Sequence, residues 1–456
     1  MAGIGFEIKK ILKEKTILSL IKSYSYAGMI SSGPWLISMI SIFIAGFITY
    51  NLFNDTKLVI EFTILITYLI ALSLIITSFL QLSFTRYLAD KIFEKEIRKI
   101  FPNTIGAVFV SIVAGAVFII PWSISIYHEK NLLCAFLFFI NFIIYCGIWI
   151  VNIVLSGLKN YKAIIFSFFV SYTVIVVLIL LFAKHGLNYI LLSFLIGEVI
   201  LFLSLLYIIK KNYHFDKFIE FDFLKKNKMY KSLIFIGFFL TASVWVDKFI
   251  FWYMPQTSSS VLGMFRYSPI YDFPIFLAYL AIAPGMAMFL LRIETDFVEY
   301  YHKYFDAVRT TGTLNELYFY GNEMIKQARF ALIEILRIQI LTTLVIVLFS
   351  EQIFNFFHMP KIYLHLFYVD MIGTSLQLFF MSVVTVLFYL DKRKEILFLA
   401  ISVFILNAAL TLLSIKFGVF YYGYGFGLAF FISSLMAIVF LNKTFKRLHY
   451  ETFMLN

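Results

Sequence analysis

The sequence predicts an all-α membrane protein of about twelve transmembrane helices arranged as two six-helix bundles, and three observations lead there. The 456-residue chain is 62% hydrophobic and only 14% charged, with mean hydropathy +0.91, which leaves too little polar surface to coat a water-soluble globule. About twelve segments reach the roughly 20 predominantly apolar residues that a bilayer crossing requires. The longest polar interruption of the first half, Lys210–Lys231, carries seven lysines and leaves six such segments on either side.

The spans fall at residues 24–47, 58–82, 105–126, 132–155, 164–182, 187–209, 233–254, 268–291, 335–354, 363–390, 396–415 and 422–441. The expected organisation is an amphipathic N-terminal helix (1–22), a first bundle (23–209), a basic cytosolic linker acting as a hinge (210–231), a second bundle (232–442) and a cytosolic tail (443–456). The second bundle includes an amphipathic cytosolic segment, 292–330.

The net charge of +12 and a pI near 9.3 would suit nucleic acid, but the distribution of the basic residues argues otherwise. With the N-terminus in the cytosol, most of the 38 Lys and Arg residues fall on the inner side. This is the positive-inside bias, which orients a multi-pass protein in the cytoplasmic membrane with both termini cytosolic. Cys134 and Cys146, the only cysteines, share the fourth span, so no disulfide framework or thiol metal site is expected. The first 22 residues mix lysines with isolated apolar positions and do not read as a cleavable signal. Ile4, Ile8, Ile11 and Leu12 instead recur at helical spacing, the pattern of a helix lying in the inner interface or of a flank that fixes orientation.

The first span opens YSYAGMISSGPWLIS, where small residues permit close helix approach and Pro34 predicts a kink, serving either packing or a mobile bend. Loops on the outer face are short, the longest being about residues 255–267. In the segment 292–330, Phe297, Tyr300, Tyr301, Tyr304, Phe305 and Val308 line one helical face, opposite Asp296, Glu299, Lys303, Asp306 and Arg309. Such a helix is expected on the membrane surface or against a partner. Thr313 and Glu316 form a capping-box pattern that starts the helix running into span nine. Gly28 to Trp35 and Gly237 to Trp245 begin equivalent spans, a weak trace of an internal repeat.

No catalytic, phosphate-binding or metal-binding motif is recognisable, so neither an enzyme nor a cofactor is expected. The informative residues are charges within or near the spans: Glu61, Glu198, Asp247, Lys248, Asp272 and Asp370. A charge at a helix centre costs roughly 2.5 to 3.5 kcal/mol on insertion scales, which favours positions facing protein or a water-filled path. Asp247 and Lys248 are adjacent, about 100° apart on a helix, and are expected to need partners on other spans. They read as a translocation path, a structural ion pair between helices, or, for Lys248, a snorkelling cation. Glu198, Asp247, Lys248 and Asp272 are expected to line or gate a translocation path, with Asp370 and Glu61 as further candidates, although Glu61, Asp272 and Asp370 lie nearer span ends, where a structural role is as well supported. Span eight holds Pro269, Pro274 and Pro284 and predicts a discontinuous helix beside an acidic residue. The 56 Phe and 29 Tyr suit sugar rings, lipid contact or a coding bias alike.

Several strings carry a family resemblance: MAGIGFEIKKIL at the start, YAGMISSGPW in span one, WVDKFIFW around Asp247 and Lys248, YSPIYDFPIFLAYLAIAPGM in span eight and ETDF at Glu294–Phe297. In this order, and over essentially the whole length, the chain resembles the PelG family of membrane subunits in Pel exopolysaccharide biosynthesis. The resemblance implies a twelve-span fold similar to the polysaccharide branch of the multidrug, oligosaccharide-lipid and polysaccharide (MOP) exporter superfamily. It further implies export of a growing N-acetylgalactosamine-rich polymer made by a cytosolic UDP-sugar glycosyltransferase. Other Pel membrane subunits, one sensing cyclic di-GMP, would be partners besides the lipid bilayer. Within the transporter class, a lipid-linked oligosaccharide flippase and a cation-coupled drug antiporter are alternatives. A membrane-embedded glycosyltransferase and a non-transporting synthase scaffold are readings of another class.

Overall fold

A computed structural model describes residues 22, 24, 26–30, 32–53, 56–157, 161–226, 229–310, 312–357 and 359–454. The expected N-terminal amphipathic helix lies outside these, apart from Lys22. Among the described residues, twelve helical stretches are long and apolar enough to cross a membrane. The protein is a multi-pass, predominantly helical membrane protein.

By packing, the described residues form two compact units, one within 34–269 and one within 270–454 that also takes in the described residues up to Gly33. The first unit holds α1 (Gly33–Phe53), α2 (Thr56–Phe93), α3 (Ile100–Glu129), α4 (Leu132–Gly157), α5 (Tyr161–Phe182), α6 (Leu187–Asn212) and α7 (Lys231–Tyr253). Its core joins α3 to α4, α4 to α6, α5 to α6, and α2 to both α4 and α7. The packing boundary therefore falls after α7, at Pro269, and not at the basic loop. A close approach fixes α7: a Cβ at Gly237 would collide with the Ser78 carbonyl of α2. Small residues permit such backbone contact where the surrounding solvent is as apolar as the side chains.

Helix α2 has 38 residues, about 57 Å of helix, and outruns a hydrocarbon core of about 30 Å. Its C-terminal end buries Lys91, which pairs with Glu94 and Glu96, while Lys99 reaches Glu96 at 2.9 Å. Hydrogen bonds from Lys91 and Lys99 hold the Glu96 carboxyl down at about 2. The basic loop after α6 lies strapped against this end. Glu220 N–H donates to the Pro102 carbonyl at 3.1 Å, and Asp222 N–H to Asn103 Oδ1 at 2.8 Å. Phe223 is buried under Phe84 and Tyr87, Phe215 stacks on Phe101, and Tyr230 donates to Asp90 at 2.8 Å. The loop expected to be a free hinge is thus tied to α2 and α3 over much of its length.

Between α7 and α8 a short hairpin forms from β1 (Ser259–Leu262) and β2 (Phe265–Tyr267). It seats Phe265 among Tyr68 and Phe138, and the Tyr68 hydroxyl donates to the Arg266 carbonyl at 3.0 Å.

The second unit holds α8 (Asp272–Leu280), α9 (Ala283–Leu291), a widened π-helical segment (Arg292–Phe297), α10 (Val298–Arg309), α11 (Leu314–Leu348), α12 (Ser350–Phe356), α13 (Leu364–Tyr389), α14 (Arg393–Phe417), α15 (Tyr424–Lys446) and α16 (Leu448–Met454). Helix α11 starts at the expected capping box: Thr313 Oγ1 accepts from Glu316 N–H and the Glu316 side chain from Thr313 N–H. Part of the aromatic face of helix α10 packs against the protein's own chain. Tyr304 is fully buried, its hydroxyl 3.2 Å from His449 Nδ1 and 3.3 Å from Thr452 of α16. Tyr301 packs edge-on against Tyr389. The tail is therefore a packed helix, further held by the Lys392–Glu451 ion pair.

Candidate functional site

Near the middle of α6, Glu198 is completely buried. Helix α4 presents the Tyr145 hydroxyl, which donates to Glu198 Oε1 at 3.1 Å and lies 3.1 Å from the Tyr172 hydroxyl of α5. Glu198 Oε2 is buried and takes no hydrogen bond from any described residue. Gly197, the neighbouring residue, packs against the Ser171 carbonyl and Ile175, so α5 and α6 nearly touch here. A carboxyl held on one side by phenols and open on the other can bind a proton or a small cation. Tyr145 and Tyr172 escaped notice in the sequence because 29 tyrosines offer no way to select two.

In α7, Asp247 and Lys248 are buried and pair with each other: Lys248 Nζ lies 3.0 Å from Asp247 Oδ2 and donates to the Val244 carbonyl at 2.9 Å. The two neighbours, expected to need partners on other spans, thus also pair with each other. The four-carbon lysine stem folds back along the helix, far enough to cover both its neighbour and the carbonyl one turn earlier.

The remaining carboxylates occupy helix ends. Glu61, near the start of α2, pairs with Lys130 just beyond the end of α3 at 2.8 Å. Asp370 of α13 is fully buried beside Gly423, the N-cap of α15, whose φ of +83° leaves space that a Cβ would share with Asp370 Oδ1. Asp272 is the first residue of α8. Asp272, in the first turn of its helix, sits where the positive end of a helix dipole favours an anion.

The proline-rich span is discontinuous. Pro274 lies in the first turn of α8 and Pro284 in the first turn of α9, with the break at Ala281–Ile282. Pro269 precedes the pair on the exposed connection. The freed carbonyls are served from the neighbouring helices: Gln339 Nε2 donates to Ala281 at 3.3 Å and Thr374 to Ala278 at 3.4 Å, while Tyr279 donates to Gln377 at 2.8 Å. Pro34 sits in the first turn of α1, after a turn at Ser32 that interrupts the helical residues 26–30. A second break, the π-helical segment, buries Glu294, which accepts from Tyr389 at 2.8 Å. Gln339, Thr374 and Gln377 were not singled out from the sequence, since a lone amide or hydroxyl in a span carries no periodic signal. No cluster of three or more His, Cys, Asp or Glu residues suited to a metal occurs among the described residues.

Solved structures with a similar fold are transporters. An outward-facing multidrug resistance MATE family transporter of the MOP superfamily is 12% identical with a TM-score of 0.67, covering 93% of this chain and 96% of that one. A MOP superfamily transporter from Pyrococcus furiosus, described as having a reversed binding-pocket polarity, is 11% identical with a TM-score of 0.64, covering 94% and 96%. A MATE in the bent conformation is 13% identical with a TM-score of 0.62, covering 95% and 96%. No curated protein sequence matches the chain. The family model described as "PelG: Putative exopolysaccharide Exporter (EPS-E)" matches residues 1–453. With a MOP-transporter fold and that match over nearly its whole length, the chain belongs to the PelG family of exopolysaccharide exporters.

Proposed function

We propose that the protein carries a growing Pel-type, N-acetylgalactosamine-rich polysaccharide out across the cytoplasmic membrane, with both its termini in the cytosol. A cytosolic UDP-sugar glycosyltransferase supplies the polymer, and other Pel membrane subunits, including a cyclic di-GMP sensor, complete the assembly. The observation that carries this reading is the family match along residues 1–453. The buried Glu198 and the Asp247–Lys248 pair are the residues we place on or beside the path, because ionisable groups this deep in apolar spans are costly unless they serve transport or each other. Glu61, Asp272 and Asp370 we read as helix-end supports. Pro34 and Pro269 flank the two places where the chain passes from one compact unit to the other, and we assign them to the bends of the transport cycle.

The test is reconstitution of the protein with its synthase and partner subunits in vesicles, followed by an added glycoside hydrolase. New polymer should become protected in the vesicle lumen, and Glu198→Gln should reduce protection at least tenfold with protein levels unchanged. Polymer that stays fully digestible with the wild-type chain would sink the export reading. A second reading, cation-coupled transport, is favoured by the open Oε2 of Glu198. It requires protection to depend on an imposed proton or sodium gradient.

A further inference from the structure

The far end of α15 carries a feature that export of a polymer does not account for. Val439, Asn442, Lys443, Lys446 and Arg447 line a groove of about 430 Å³. Their spacing of three, four, seven and eight residues puts them on one helical stripe. Above them the same stripe continues as Leu435 and Phe431, both about half exposed, and Val439 is 66% exposed. The stripe thus runs from apolar side chains, where the span faces hydrocarbon, to three cations where the span ends.

The cations also differ from Lys91, Lys99, Lys225, Lys392 and Arg393, which sit near helix ends and each pair with a carboxylate. Among the described residues, Lys443, Lys446 and Arg447 make no ion pair. One cation in the last turn would satisfy the negative end of the helix dipole, equivalent to about half a charge. Three exceed that need severalfold, and an unpaired guanidinium presents the planar fork that grips phosphate at two oxygens.

We propose that this groove is a binding site for an anionic glycerophospholipid: the phosphate sits among Lys443, Lys446 and Arg447, and an acyl chain lies along Val439, Leu435 and Phe431. Basic pockets beside transmembrane helices recognise such headgroups, while a zwitterionic headgroup brings its own cation and gains little from three more. The site would anchor the end of α15, next to the packed tail helix α16, to one leaflet.

The test uses the purified full chain in detergent micelles with added phosphatidylglycerol or phosphatidylcholine, read by native mass spectrometry. The wild-type chain should retain phosphatidylglycerol at least tenfold better. Combined Lys443→Gln, Lys446→Gln and Arg447→Gln substitution should remove that preference, whereas Lys210→Gln, Lys211→Gln and Lys226→Gln, an equal change of charge elsewhere, should keep it. Equal retention of the two lipids by the wild-type chain, or equal loss in both variants, would overturn the site. Displacement of the lipid by millimolar inorganic phosphate would show a free-anion site and overturn the lipid assignment. Should the first variant fail to fold, the wild-type preference must still fall steeply between low and high salt, and a salt-independent preference refutes the proposal.

Discussion

Gln339 of α11 donates its side-chain amide to the main-chain carbonyl of Ala281, at 3.3 Å, where the eighth span breaks between α8 and α9. The contact helps the break to be tolerated at membrane depth: where the helix is interrupted at Ala281–Ile282, a side chain from a neighbouring helix supplies a donor to a main-chain carbonyl. Gln339→Leu keeps the volume and removes the donor. The orphaned carbonyl should cost about 1 to 3 kcal/mol, read as a lower unfolding midpoint in detergent. An unchanged midpoint would show that the break is held by other means.

Breaking the Glu61–Lys130 pair from one side should be worse than breaking it from both. Glu61 is 2% exposed, so Lys130→Met leaves a buried carboxylate without its cation. Such losses run to about 3 to 5 kcal/mol in dry interiors. Lys130 is 30% exposed and water reaches the pair, so a loss nearer about 2 kcal/mol is expected. Adding Glu61→Gln to Lys130→Met should recover most of it, and a double-mutant cycle with no coupling would contradict the pairing.

Gly423 and Gly418 allow a controlled comparison. Both have positive φ, +83° and +102°, but a Cβ at Gly423 would lie 2.7 Å from Asp370 Oδ1 and 2.8 Å from Leu366 Cδ1, whereas nothing lies within 4 Å at Gly418. Gly418→Ala should therefore cost only the backbone strain, about 1 kcal/mol, and Gly423→Ala clearly more, up to about 3 kcal/mol. Equal thermal shifts for the two would show that Asp370 is not packed against the start of α15.

Docking of the tail helix should weaken in mild acid. Burial against α10 and α11 lowers the His449 pKa below its ordinary 6.5, so the folded state favours the neutral imidazole. The stabilisation is complete above the ordinary value and is lost as pH falls through it toward the lower folded value. Amide protection factors at Tyr304 and along α16, taken relative to the slower intrinsic exchange in acid, should fall between neutral pH and about pH 5, and His449→Gln should flatten that dependence. Glu96 acts in a separate window: its carboxyl, held at about 2 by Lys91 and Lys99, contributes above the ordinary 4.5 and loses this contribution only as pH falls toward 2. A loss of protection that persists in His449→Gln would assign the effect to another group.

The sequence by itself determined the class of the protein: twelve apolar runs, the biased placement of lysines and arginines, the capping box at Thr313 and the strings that carry the family likeness are local in the chain. It also marked Glu198, because a carboxylate inside an apolar run is conspicuous wherever it folds. Tertiary structure alone decided the rest. It bound the basic loop to α2 and α3, folded the tail over Tyr304, and chose Tyr145 and Tyr172 from among many tyrosines. It gave Glu61 its lysine across 69 positions of chain and let Lys248 reach back over Asp247. The physical reason is that hydropathy reports only the transfer of a segment into the bilayer. The partner of a buried polar group is set by which helices meet and at what height, and no periodicity within one span encodes that.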